Sequence, residues 1–184
     1  MKASDFASLT PLYMAGLHPT LLEIAERYIG LPPLYLGFEI KVEFPDGRTG
    51  GTRNWHLDLE DVRALKVVAY LTDVDEDDGP LQYVPEGARI FSTRPQNIGI
   101  HCDKDIEAEH KVSCTASAKS VIIFDGARLV HRVKPPTGTR IRRSLMYSYT
   151  SRQPLQIFAG ARPSAEAKRE LQKVLTEPQF ACIP

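Results

Sequence analysis

The chain has 184 residues, enough for one compact domain spanning 1–184 with a real core and no covalent staples. Apolar residues make up 42% and charged residues 25%, the balance of a soluble globular protein. Lys plus Arg (23) equals Asp plus Glu (23), so no net field draws the chain to nucleic acid or to an acidic membrane surface.

Residues 19–28 (PTLLEIAERY) read as a helix. Leu21, Leu22, Ile24, Ala25 and Tyr28 form its apolar stripe, and Gly30 with Pro32 and Pro33 stops it. In residues 35–44, Phe38, Ile40, Val42 and Phe44 alternate with Glu39, Lys41 and Glu43, the period of a strand. Pro45-Asp46-Gly47 is a turn signal. Residues 52–59 (TRNWHLDL) form a short strand, and 64–74 (ALKVVAYLTDV) a well-buried one rich in β-branched residues. The acidic turn DEDDGP leads into LQYVPEG, a short strand with a break. Residues 88–119 are polar and irregular. VIIFDG, ARLVHRV and residues 142–152 (RRSLMYSYTSR) are further strands, and residues 164–175 (SAEAKRELQKVL) an amphipathic helix. Strands do not alternate with crossover helices, so the expected class is mainly β, a double-stranded β-helix (jelly roll) with flanking α-helices.

Three cysteines, Cys102, Cys114 and Cys182, are too few and too irregularly spaced for a disulfide framework, which points to a reducing, cytoplasmic setting. The first residues lack the apolar run of a signal peptide, and no stretch approaches the roughly 20 apolar residues of a membrane span.

The chemistry centres on Asn54-Trp55-His56-Leu57-Asp58. On a strand, i and i+2 share a face, so His56 and Asp58 can offer a nitrogen and an oxygen to one metal. His131, on a later strand, supplies a third donor. Two His and one carboxylate make the facial triad of non-haem iron(II) oxygenases, which leaves room for a bidentate 2-oxo acid and for O2. The distal carboxylate of such a co-substrate calls for an arginine fork. Arg142 has that position, with Ser144 on the same strand face. Arg143 has the opposite parity and should point away. Arg140 ranks second as the anchor. Met146 and Ser148 share parity with Arg142, whereas Tyr147 and Tyr149 should pack outside the pocket, and Trp55 and Leu57 should be packing residues.

The motifs WHLD (55–58), LTDVDEDDGPLQYVPEG (71–87) and VHRVKPPTGTRIRRS (130–144) resemble the phytanoyl-CoA dioxygenase family of iron(II), 2-oxoglutarate-dependent oxygenases, over about residues 35–152. The resemblance implies iron held by His56, Asp58 and His131, and 2-oxoglutarate bound by Arg142 with Ser144 assisting. It implies a jelly roll, a small-molecule substrate, and hydroxylation driven by conversion of 2-oxoglutarate and O2 to succinate and carbon dioxide. Asp58 matters for this, since halogenases of that superfamily replace the carboxylate with a small residue. Pro85-Glu86-Gly87-Ala88-Arg89 departs from the family's usual Pro-Gly-Ser-His. Lys41 stands where members often carry a residue that touches 2-oxoglutarate, but a solvated strand face shared with Glu39 and Glu43 explains it as well.

Rival readings have their own residues. His101, Cys102, His110 and Cys114 lack the tight spacings of a zinc site, and a mobile active-site cover or a solvated loop suits them better. Arg94, Lys104 and Lys111 in that segment suit an anionic substrate or a solvated loop equally. His18 is an ordinary residue before a helix. A non-redox, cupin-like metal-binding jelly roll is the alternative function, and it has no need of Arg142 and Ser144.

Overall fold

The computed structural model describes residues 10–85, 100–101, 106–157 and 163–184. Helix α1 (Pro19–Ile29) is capped by the His18 ring, which accepts from the Thr20 amide, and is closed by Gly30 in the left-handed conformation. Among the described residues nine strands follow: β1 (Pro33–Glu43), β2 (Trp55–His56), β3 (Leu65–Tyr70), β4 (Leu81–Tyr83), β5 (Ile100–His101), β6 (Val112–Cys114), β7 (Val121–Asp125), β8 (His131–Val133) and β9 (Arg142–Ser151). Helices α2 (Ala165–Val174) and α3 (Glu177–Phe180) end the chain. Among the described residues, no helix is long and apolar enough to cross a membrane.

The strands form two antiparallel sheets, a major one ordered β1-β9-β3-β7 and a minor one ordered β5-β2-β8-β4-β6. This is the expected jelly roll. One face of the major sheet lies under the helices: Leu65, Val67, Tyr147 and Tyr149 join Leu17, Ala25, Ile29 and Leu171 in one buried cluster. Tyr149 donates its hydroxyl to the Gly16 carbonyl at 2.6 Å. The other face, with Val68, Tyr70 and Met146, looks toward the minor sheet. This two-sidedness follows from the period-two alternation of β3 and β9.

In β1 the alternation is interrupted. The register shifts between Tyr35 and Phe38, where Gly37 takes φ 98°, a conformation glycine tolerates. The bulge puts Tyr35 and Phe38 on the same helix-covered face. Beyond it, Glu39 and Lys41 line the interior cavity and Glu43 is buried, while Ile40, Val42 and Phe44 point outward and are exposed.

Several expected strands are shorter than the sequence suggested. Residues 52–59 reduce to a single 3-10 turn (Gly51–Arg53) and the two-residue β2. The chain leaves the sheet after His56 because the Asp58 amide bonds instead to the Gly126 carbonyl at 2.8 Å. The strand at 64–74 ends at Tyr70, and beyond it Leu71 bonds to the Arg143 carbonyl and Val74 bridges Ala116. In ARLVHRV, residues 127–129 turn through hydrogen bonds to Asp125 and only His131–Val133 is extended. The irregular segment 88–119 contributes β5 and β6 among its described residues; Arg94, Cys102 and Lys104 lie outside them.

Candidate metal centre and co-substrate pocket

His56 and His131 are paired across adjacent strands, β2 and β8, and their ring centroids stand 4.4 Å apart. Each ring is fixed the same way. His56 Nδ1 lies 2.7 Å from the Asn54 carbonyl and His131 Nδ1 lies 2.9 Å from the Leu129 carbonyl. A carbonyl only accepts, so both Nδ1 atoms carry the proton and both Nε2 atoms present a lone pair. Asp58 completes the group, with Oδ1 3.8 Å from His56 Nε2 and Oδ2 3.8 Å from His131 Nε2. One ligand atom from each of the three lies within 4.8 Å of the others. Burial pushes the His131 imidazole down to about 4, against the opposing pull of Asp58, so it is neutral at pH 7, the form a metal ligand must have.

Asp58 is not on the strand pleat, so strand parity with His56 does not account for its position. Its backbone is tied to Gly126, in the turn after β7, and its carboxylate lies against the same glycine. A Cβ at position 126 would overlap Oδ2 and come within 2.9 Å of the carboxylate carbon. On the other side stands Lys66, 3% exposed, with Nζ 3.3 Å from Asp58 Oδ2, 2.6 Å from Glu60 Oε1 and 3.3 Å from Ser148 Oγ. Burial opposes the ammonium charge, but the Asp58 and Glu60 carboxylates override it and hold the group above its ordinary value. Lys66, Glu60 and Gly126 escaped sequence reasoning. A lone charge inside the apolar run ALKVVAYL was the available signal, because lysine is rarely buried unless paired.

The three donors open on a cavity of about 230 Å³ between the sheets. Arg142, Ser144 and Met146 of β9 line it with Lys41 and Lys66, while Arg143 is exposed on the other face. Arg142 is 3% exposed. Its Nη2 is 3.8 Å from Glu43 Oε1, but Glu43 is bonded more closely by Arg53 at 3.1 Å. The Arg142 Nε is buried and has no acceptor among the described residues. An unmet buried donor costs roughly 1–3 kcal/mol, and an anion beside it removes that cost. The second-ranked anchor, Arg140, is elsewhere: it binds Asp78 at 2.9 Å and Asp75, and its side chain is half exposed. Lys41 faces the cavity and pairs with Glu39 at 2.7 Å. Trp55 is fully buried in a cluster with Val84, Ile106 and Val130 against which Leu57 packs, and Arg132 lies over its ring at 4.4 Å. Among the described residues, His110 groups with Glu107 and Glu109, and Cys114 belongs to neither candidate ligand cluster.

No family model matches the chain, and no curated protein matches it. Solved structures do share its fold. One is described as a non-heme monooxygenase, ThoJ, in its apo form (19% identical, TM-score 0.55, covering 76% of this chain and 55% of that one). Another is the non-heme alpha ketoglutarate dependent epimerase SnoN from nogalamycin biosynthesis (19%, TM-score 0.55, 89% and 65%). A third is EvdO2 from Micromonospora carbonacea var. aurantiaca complexed with 2-oxoglutarate (18%, TM-score 0.57, 83% and 69%). The chain thus spans 55–69% of the length of these structures. At such identities the likeness is one of fold.

Proposed function

We propose that the chain is one non-haem iron(II), 2-oxoglutarate-dependent dioxygenase domain of the phytanoyl-CoA dioxygenase type, hydroxylating a small-molecule metabolite. The observation that carries the reading is one cavity with two kinds of wall. His56, Asp58 and His131 present two nitrogens and an oxygen on one side, and the buried Arg142 presents an unmet N–H on the other. The donor set suits iron(II), since two imidazoles and one carboxylate leave coordination positions open. The fold shared with a non-heme monooxygenase and with a protein complexed with 2-oxoglutarate supports the same reading.

When bound, iron with 2-oxoglutarate and O2 supplies the oxidising power for attack on a C–H bond. The chain's own residues do the rest. The Asn54 and Leu129 carbonyls hold the two imidazoles in one tautomer and orientation. The Arg142 guanidinium binds the far carboxylate of 2-oxoglutarate, with the Ser144 hydroxyl beside it. Val68, Phe124 and Met146 keep the cavity floor apolar and exclude water from the reacting end. The cupin-like alternative leaves the buried Arg142 Nε without an acceptor among the described residues.

The test is succinate release by the purified chain given iron(II) and 2-oxoglutarate, alongside 2-oxoglutarate titration of the anaerobic iron(II)-loaded protein. Binding, with succinate formed even slowly without a substrate, is the expected outcome. Failure to bind 2-oxoglutarate would refute the proposal.

A further inference from the structure

Asp58 has two oxygens, and distance alone does not say which one serves a metal. Oδ1 is 3.8 Å from one imidazole nitrogen and Oδ2 is 3.8 Å from the other. A carboxylate free in that position can chelate through both. The difference matters, because a chelating carboxylate occupies one more coordination position than a monodentate one. A 2-oxo acid bound through two atoms, plus O2, needs three positions.

Lys66 makes the two oxygens unequal. It is buried, and its ammonium contacts Oδ2 at 3.3 Å. Charge balance does not require that contact, since Glu60 already pairs with Nζ at 2.6 Å. Glu60 Oε1 at 2.6 Å and Ser148 Oγ at 3.3 Å also hold Nζ, which fixes its place beside Asp58. A divalent cation on Oδ2 would stand beside a fixed positive charge with little water between them, and like charges repel strongly there. Oδ2 fills the space a Cβ at position 126 would take, so the Gly126 backbone lies against it on one side.

We propose, resting on the iron and 2-oxoglutarate reading above, that Lys66 is a positioning residue. It holds Asp58 as a one-oxygen ligand through Oδ1 and so keeps a coordination position free for the co-substrate. Glu60 is its counter-ion, allowing the ammonium to be buried at this point.

Cobalt(II) and 2-oxoglutarate are the probes, titrated into wild type and into the double variant Lys66→Met/Glu60→Gln, which removes both charges together. With the cation gone, Asp58 chelates. Cobalt affinity therefore holds or rises, whereas 2-oxoglutarate affinity of the cobalt-loaded protein falls roughly tenfold or more, a size common for groups that orient metal ligands. The visible spectrum of bound cobalt changes as its coordination changes. A loss of fold would lower both affinities, so the opposed shifts separate positioning from structure. Lys66→Gln, which keeps a donor for Ser148 but no charge, shows the same split if the double variant does not fold. If wild type binds both probes and the variant affinities fall in parallel, or neither moves, Lys66 does not have this role. If wild type binds no cobalt, the metal centre itself is refuted and this inference with it.

Discussion

Arg142 and Arg143 are neighbours in the chain and opposites in environment. One is buried against the cavity with an unmet Nε, and the other is exposed on the far face of β9. A buried, charge-assisted contact is worth roughly 2–5 kcal/mol when one partner is removed. Arg142→Ala should therefore raise the Kd for 2-oxoglutarate by roughly 30-fold or more, and Arg143→Ala by less than about twofold, read by titrating metal-loaded protein. Equal effects would remove Arg142 as the anchor. Parity placed Arg142, Ser144 and Met146 correctly because β9 is ten residues long, and a long regular strand keeps its faces. The same rule was weaker at His56 and Asp58, where β2 has two residues. Asp58 reaches the cluster through a turn built around Gly126, and a contact between distant segments leaves no local period to read. Lys66 was missed for a related reason: its partners, Asp58, Glu60 and Ser148, come from two separate parts of the chain.

A two-residue strand cannot hold itself in place. What secures β2 is Trp55, fully buried in the cluster with Val84, Ile106 and Val130 and with the Arg132 guanidinium over its ring. Trp55→Ala should cost about 3–5 kcal/mol of stability and also weaken metal binding, because the strand that carries His56 loses its anchor. Leu171→Ala in α2 should cost about 2–5 kcal/mol and leave metal affinity unchanged, because Leu171 packs with the helices on the far side of the major sheet. Urea midpoints with metal titrations of the folded proteins check the pair, and a metal defect in the Leu171 variant would contradict it. Helices read most clearly from sequence at this scale. The expected 19–28 and 164–175 are observed as Pro19–Ile29 and Ala165–Val174, since caps at His18, Gly30 and Ser164 mark their ends. The minor sheet was hard to read because its strands have two or three residues, too few to show a period.

For the molecule as a whole, the buried His131 imposes a pH dependence on the metal-free fold. His131 titrates near 6.5 in an unfolded chain and is pushed down to about 4 in the folded one, chiefly by burial. Between those values the unfolded chain binds more protons. Its contribution is therefore fully present above about pH 6.5 and is lost as pH falls toward 4, by about 3 kcal/mol in all. Urea midpoints of metal-free protein from about pH 7 down to about pH 5 should fall, and His131→Gln should flatten much of that slope. An unchanged slope would exclude His131 as its source. Sheet order has a different consequence. Among the described residues, strand β1 ends the major sheet, and its outer side chains Ile40 and Val42, with Phe44 just beyond it, are exposed. An uncovered apolar border strand invites a stray chain to add itself to the ladder. The inward row Glu39, Lys41 and Glu43 works against this, since the opposite face of that strand end is charged rather than apolar. Glu39 and Lys41, which line the cavity, therefore also work against edge-to-edge pairing, so replacing them with apolar residues to suit a greasier substrate should lower solubility.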